Sequence, residues 1–378
     1  METKTLNLQK TSSLEKKSIL FIADKPEWAY HNIIKTWSLF LGNEYDCYIA
    51  FANDYLIRQK KFSFAEKLII NNINALRNKN KSYKIDSSRN FSYPVYKNPK
   101  VFDIKNQTFK PKKEFDIIIE MAYYFQYVSE FPFQAKHRLV GLYTDSYPHE
   151  GPTFDAKTGT ELKNLERKTF FEKYLKKYSG ILVGNTNLYD DYKVFTDKLI
   201  FANGIYRQND FKENLNVGES ETLTIGWTGN PTRSMKGFHE VIEPAVENVK
   251  KTGRKIILKT QFTGSYDSIL QFYSDVDIVA IASEADTGPS LFAEAALCNV
   301  PAISTEIGFP KMVIENEKNG IFVHRDIQEM ENAIISMYDN REKLKSFSKR
   351  IKQNYLSKLD NKISLENLSA FLHELESA

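Results

Sequence analysis

Glu294 is the only charged side chain in the apolar stretch from Leu291 to Leu297, and a carboxylate buried there without a partner would be costly. Just before it, Ser283-Glu-Ala-Asp-Thr-Gly-Pro-Ser290 closes an apolar run. Gly288-Pro289 makes a turn, proline suits the first helical position, and a helix is predicted from Ser290 to Cys298. Free amides of Gly288, Ser290 and Leu291, in the turn that Pro289 shapes, could hold an anion such as a diphosphate. One turn further on, the Glu294 carboxylate could accept two hydrogen bonds from a ribose diol. The other reading of Glu294 is an ion pair with a nearby Arg or Lys. A second stretch, Gly226-Trp-Thr-Gly-Asn-Pro-Thr-Arg-Ser-Met-Lys-Gly237, also lies between a strand and a helix. Gly229 permits close backbone approach, and Arg233 and Lys236 bring cations to the carboxyl end of the strand. It lacks the Gly-Lys-Ser/Thr of a Walker loop. No Gly-x-Gly-x-x-Gly follows the first strand, which argues against a nicotinamide dehydrogenase.

The elements that must position these residues alternate along the chain. Ser18–Ala23 is an apolar run ended by Asp24-Lys-Pro26, and Glu27 to Leu41 has apolar residues at helical spacing. Further strands are predicted at 45–51, 115–119, 138–143, 180–183 and 199–201, with a helix from Glu161 to Lys177. This is the pattern of a doubly wound parallel sheet that binds ligands at its strands' carboxyl ends. The stretch 206–222 is polar and aperiodic and reads as a linker. The alternation then restarts with strands at 223–228, 255–259, 276–281 and 301–304 and a helix from 237 to 251. The expected organisation is a polar extension over 1–17, an α/β domain over 18–205, a linker over 206–221, a second α/β domain over 222–340 and a helical tail over 341–378. The tail is expected to pack back on the first domain. Ser364 reads as N-cap for the spacing Leu365, Leu368, Leu372, Leu375.

The 378 residues are 42% hydrophobic and 26% charged, which excludes a disordered or fibrous chain. A net charge of +4 from 52 basic and 48 acidic residues does not point to nucleic acid. Cys47 and Cys298 each sit in an apolar run and read as reduced, buried thiols. No apolar run is long enough for a membrane span and residues 1–17 lack an apolar signal core, so a cytoplasmic protein is expected. Between Arg58 and Lys84, six further cations face one acid, Glu66, on a helical apolar pattern. Such a helix could contact the inner face of an anionic membrane, or could be a domain helix with solvated lysines.

Taken together, the blocks resemble the donor-binding half of the retaining family 4 glycosyltransferases, which have the two-domain GT-B fold. The resemblance rests on Asn203-Gly204-Ile205, the Gly229 to Gly237 loop, Asp277 at a strand start, and the Asp286 to Pro301 block followed by Glu306-Ile-Gly308 and Asn319-Gly320. It covers roughly residues 199–325 and implies a nucleotide diphosphate sugar, such as a UDP- or GDP-sugar, as donor. The family's two acids, eight positions apart, fall on Asp286, beside the donor sugar, and Glu294, on the ribose. Its diphosphate lysine falls on Lys236. Its arginine position holds Asn230, so Arg233 is expected to act from another place. In the first half, Lys25, Glu27, Trp28 and His31 are the acceptor-side candidates. The family's donor-sugar histidine has no clear match, and Asp145 and His149 are the polar residues nearest that position. Asp145 could equally cap its turn.

The resemblance implies transfer with retention, without a metal ion, to a glycan, lipid-linked or small-molecule acceptor, in bacterial surface glycan synthesis. Asp275-Val-Asp277 invites a metal reading, but one acid pair lacks the further oxygen ligands of a magnesium or manganese site. The six histidines show no paired metal-ligand spacing. The departures at Asp286 and Asn230 leave two other readings, a catalytically silent nucleotide-sugar-binding or partner protein and a sugar-nucleotide epimerase on the same fold.

Overall fold

A computed structural model describes residues 16–26, 28–55, 100–129, 131–143, 153–155, 160–162 and 166–377. The central apolar runs form strands because both of their faces are covered, as in parallel sheets packed between helices, whereas the edge strand Ile256–Gln261 leaves Ile257 exposed. In β1 (Lys17–Ala23) every residue after Lys17 is buried. It pairs in parallel with β2 (Tyr45–Phe51), Ile19 opposite Cys47, and with β5 (Glu114–Glu120), Ile19 opposite Ile117. β6 (Gln134–Leu142), β9 (Gly180–Val183) and β10 (Leu199–Phe201) continue the sheet in parallel. An antiparallel hairpin, β3 (Lys100–Asp103) and β4 (Thr108–Pro111), closes the opposite edge. The order is β10-β9-β6-β5-β1-β2-β3-β4. A second, all-parallel sheet has five strands, β11 (Leu223–Thr228), β12 (Ile256–Gln261), β13 (Ile278–Ile281), β14 (Ala302–Ser304) and β15 (Ile321–Phe322). Their order is β12-β11-β13-β14-β15.

Strand order reverses between β1 and β5 in the first sheet and between β11 and β13 in the second. A crevice opens at such a reversal, outside the carboxyl ends of the strands. Of the residues that follow those four strand ends, Asp24, Tyr124, Gly229 and 285–288 line one space between the two sheets.

Several expectations change in the structure. The helix expected from Glu161 begins only at Arg167, because β8 (Thr160–Leu162) is engaged in an antiparallel ribbon with β7 (Thr153–Asp155). Helical winding then runs over Arg167–Phe170 and, as a π-helix, over Phe171–Leu175. The stretch 206–222 is tied to the second sheet by specific bonds. Phe211 and Val217 join its core, and the Asn214 amide donates to the carbonyls of Tyr273 and Val276 at 3.3 and 2.9 Å. Asp277 accepts from the backbone N–H groups of Gly218 and Thr224 at 2.7 and 2.8 Å, so it staples this stretch to the strand start. Ser364 is no N-cap. Its helix starts at Asn361, and Ser364 lies fully buried inside it, its hydroxyl accepting from Asn203 N–H at 2.8 Å.

The two halves are crossed twice. The helix Arg341–Leu359 buries Leu344, Phe347 and Ile351 in the second core, whereas Asn361–Ser377 buries Leu365, Leu368 and Leu372 in the first. Asn361 joins the crossings, accepting from Ile205 N–H and donating to Ile205 O, both at 2.8 Å. Cys47 and Cys298 are buried free thiols, and burial pushes both pKa values up to about 12. Among the described residues no helix is long and apolar enough to cross a membrane. The basic segment Arg58–Lys84 lies outside the described residues.

Candidate functional site

The crevice is a cleft of about 700 Å³ lined from both sheets. On the side of the second sheet its wall carries Gly229, Arg233, Lys236, Asp286, Glu294 and the turn Gly288-Pro289-Ser290. Lys236 is placed by the turn Ser234–Lys236 and by Gly237 behind it. Gly237 has a φ of 70°, and a Cβ there would collide with the Ala282 carbonyl, so only glycine lets the loop lie against the end of β13. Glu284 N–H donates to Met235 O at 2.9 Å. Arg325 locks the same loop from behind, donating to Ala282 O at 3.0 Å and to Ser234 O at 2.7 Å. Lys236 forms an ion pair with Asp286. Arg233 is exposed on the same wall, its guanidinium 3.2 Å from the Met235 sulfur.

The turn 286–288 is propped by Gly308 and Phe309. A Cβ on Gly308, at φ 37°, would collide with the carbonyls of Asp286 and Thr287, and one on Gly288 would strike the Phe309 ring. Replacing Gly308 with alanine is therefore expected to destabilise the protein by about 1–3 kcal/mol through overpacking. It should also weaken anion binding in the cleft, read by thermal denaturation and by nucleotide titration of the same sample. Unchanged binding would show that the turn is held by something else.

The helix Ser290–Leu297 starts at the cleft wall with no side-chain cap, so the positive end of its dipole lies on the wall that carries Lys236, while the Gly288 N–H is already donated to Asp286 at 3.3 Å. Pro289 stands one place before the helix, as its N-cap residue. Glu294, one turn in, is 6% exposed and accepts from the Tyr273 hydroxyl at 2.8 Å. Its described partner is thus a phenol and not the Lys or Arg that an ion pair would need. Burial is the dominant influence and pushes its pKa up to about 7, opposed by the Tyr273 bond. A carboxylate in this state is stabilised by any ligand that brings hydroxyl donors to it.

Not every candidate residue reaches the cleft. Asn230 accepts from Thr232 N–H at 3.0 Å and from its hydroxyl at 2.8 Å, closing its own turn, and does not line the cleft. Arg233 does line it. Leu291 is buried in the core behind the helix start. Trp28 lines the opposite wall, but Lys25 lies over its ring, 3.1 Å from the centroid, and His31 packs edge-on against Phe51 at 5.3 Å. Glu27, Asp145 and His149 lie outside the described residues.

Three residues that sequence reasoning did not single out matter here. Asp24 lines the cleft at the end of β1, with one carboxylate oxygen buried and without a hydrogen-bond partner. The only signal in the sequence was its position as the first polar residue after an apolar run. Thr287 lies in the cleft with a buried, unpartnered hydroxyl, and its carbonyl accepts from the Asn185 amide at 3.1 Å, which ties the two halves together. Arg325 acts through tertiary contacts alone and had no local signal. Among the described residues no group of three or more His, Cys, Asp or Glu stands together as metal ligands would. Asp277 is spent on backbone amides, and Asp275 pairs with Lys259.

The family model described as glycosyl transferases group 1 matches residues 233–354. No curated protein matches the chain. Among solved structures, the chain resembles a glycosyltransferase from Rickettsia africae at 14% identity and a TM-score of 0.58, over 97% of this chain and 100% of that one. HepE from Anabaena, in complex with UDP and glucose, is similar at 12% identity and a TM-score of 0.56, over 94% of this chain and 99% of that one. A point mutant of TarM from S. aureus, solved with Fondaparinux, alpha-GlcNAc-glycerol and UDP, is matched at 16% identity and a TM-score of 0.48 over 72% of this chain, which spans only 61% of that one. The architecture is therefore the GT-B glycosyltransferase fold, and residues 233–354 carry the match to the glycosyl transferases group 1.

Proposed function

We propose that the protein is a retaining glycosyltransferase that moves a hexosyl unit from a nucleotide diphosphate sugar to an acceptor hydroxyl, in the cytoplasm, in the synthesis of bacterial surface glycans or glycoconjugates. One observation carries this reading: Lys236, the uncapped helix start at Ser290 and the buried Glu294 carboxyl stand on one wall of one cleft. A cation and free amides suit a diphosphate, and a buried carboxyl one turn away suits a ribose diol. In the transfer, the bond from the anomeric carbon to the phosphate oxygen breaks while the acceptor oxygen attacks from the same face. The departing phosphate oxygen takes the acceptor's proton. Lys236, Arg233 and the helix start favour the charge that builds on the diphosphate. These groups supply the positive potential that a metal ion supplies elsewhere, which supports a metal-independent reaction.

HepE was solved with UDP and glucose, which makes a UDP-sugar the first donor to test. The acceptor classes proposed are a glycan, a lipid-linked glycan or a small molecule, the second with membrane contact through Arg58–Lys84. A second reading, a silent nucleotide-sugar-binding protein, is favoured by Asn230, which turns away from the cleft.

Calorimetric titration with UDP, GDP and ADP without added metal tests the site, and product analysis with the matching nucleotide sugars tests the reaction. The expected result is micromolar binding of one nucleotide and a glycosylated product. Binding without any product supports the silent reading, and an altered sugar without transfer supports an epimerase. A folded protein that binds none of the three nucleotides removes the proposal.

A further inference from the structure

The wall of the cleft that belongs to the first sheet has its own chemistry. Asp24 follows β1, and one of its oxygens is buried without a hydrogen-bond partner although the residue lines the cleft. The residue is held at the end of β1 by its backbone carbonyl, which accepts from Asn53 N–H at 3.2 Å. Around it the wall is aromatic: Trp28, Tyr30, Tyr124 and Tyr143 all line the same space. Tyr30 packs against Tyr143 with ring centroids 5.9 Å apart and edge-on against Phe125 at 6.3 Å, so this part of the wall is rigid. Trp28 differs from its neighbours. It is 55% exposed, and Lys25 covers one face of its ring.

The Asp24 carboxylate is half-buried and takes backbone N–H donors from Lys25 and from Asp24 itself, but its other oxygen has none, and that oxygen gains from a ligand hydroxyl. An exposed indole gains from an apolar face laid on it. A pyranose ring supplies both at once, with C–H groups on one face and hydroxyls around the edge. A peptide hydroxyl would use the carboxylate but leave the indole wet, and a lipid chain would use the indole but leave the carboxylate unpaired.

We propose that this wall is a saccharide site in which Asp24 accepts a hydroxyl of the acceptor sugar and Trp28 stacks against its ring. That the bound sugar is an acceptor rests on the glycosyltransferase reading, but the sugar site itself stands on Asp24 and Trp28 alone. Asp24 is a binding residue in this scheme, and the acceptor's proton still leaves with the diphosphate. The specificity that follows is for a sugar or glycoside acceptor rather than a protein or lipid hydroxyl.

The test uses the full chain with the methyl glycosides of glucose, galactose and N-acetylglucosamine, each at millimolar concentration, without donor. Saturation-transfer NMR reads sugar binding, and nucleotide titration is run on the same samples. At least one glycoside is expected to receive saturation, with the signal reduced at least fivefold in Asp24→Asn and in Trp28→Ala and partly restored in Asp24→Glu. Tryptophan fluorescence gives a second readout, because Trp37 and Trp227 are buried and iodide reaches Trp28. Bound glycoside should protect that fraction from quenching. If no glycoside binds, or if Asp24→Asn binds as well as the wild type, the inference is overturned. Absence of nucleotide binding in the wild type would instead strike the glycosyltransferase reading and leave the sugar result standing as a lectin-like site.

Discussion

Replacing Lys236 with alanine is expected to lower the rate of sugar transfer by about 10²–10³-fold, a loss of ~3–4 kcal/mol of transition-state stabilisation. The magnitude follows from two effects that act in the same direction. The ammonium group proposed to meet the growing charge of the diphosphate is removed. Asp286, its partner in the cleft, then remains as a partly buried carboxylate with no cation beside it. The two contributions separate in a double-mutant cycle, because Asp286→Asn in the Lys236→Ala background removes the repulsion without restoring the cation. The double variant should recover part of the loss, and Lys236→Arg should recover more. Most of the effect belongs in kcat, since the charge is greater in the transition state than in the bound donor. Steady-state measurement of nucleotide release checks this. Turnover of Lys236→Ala within threefold of the wild type would remove Lys236 from the chemistry.

The pairing of Lys236 with Asp286 in the free protein has a structural reason. A lysine held 23% exposed beside a closed loop would be poorly solvated, and Asp286 compensates it until a ligand arrives. A diphosphate would compete with Asp286 for the same ammonium group, which frees the carboxylate to accept from a sugar hydroxyl. On this view the shortened side chain, aspartate where the resemblance implies glutamate, works as a ligand-exchangeable counter-ion.

The parts of the site that were legible in the sequence are those set by short-range chemistry. β1 and β2 are nearly unbroken apolar runs, and β11 alternates apolar with polar or small residues, so their positions follow from local pattern. The loops after β11 and β13 carry their glycines, cations and acids within a few residues of the strand ends, and the fold brings both loops to one crevice. What was hidden depends on contacts across the chain. The helix carrying Leu365, Leu368 and Leu372 could be read from its spacing, but serine before an apolar run is a general capping signal. Ser364 is used instead as an internal acceptor for Asn203, 161 positions away in sequence. Residues 206–222 lack periodicity because Asn214 and Asp277 order them through backbone groups, and such bonds leave no repeat to read. Asn230 stands where the resemblance would put an arginine, yet its side chain closes a local turn, so position in a motif did not predict direction. Arg325 lies some ninety residues from the loop it holds.

The pH dependence of donor binding should be governed by Glu294. In the free protein burial raises its pKa from 4.5 to about 7, with the Tyr273 hydroxyl opposing the shift. Below pH 4.5 the carboxyl is protonated in both folded and unfolded chains, and its neutral form is buried at little cost. As pH rises through 7 the folded chain must hold the charged form, so about 3 kcal/mol of stability present at low pH is lost. Glu294→Gln removes that penalty, so the ligand-free variant is expected to melt above the wild type at about pH 8 and near it below about pH 5. The ligand reverses the sign. Two hydroxyls donated to the carboxylate favour its charged form and return its pKa towards the ordinary range, so binding releases a proton between about pH 5 and 7. Affinity for UDP-glucose, whose diphosphate does not ionise in this range, should therefore rise roughly tenfold or more from about pH 5.5 to 8 in the wild type. In Glu294→Gln it should be weaker at the alkaline end and nearly independent of pH. Calorimetry in two buffers of different ionisation enthalpy counts the released proton directly. Parallel pH profiles for the wild type and Glu294→Gln would mean that the carboxyl does not meet the ligand, and the ribose contact would have to lie elsewhere in the cleft.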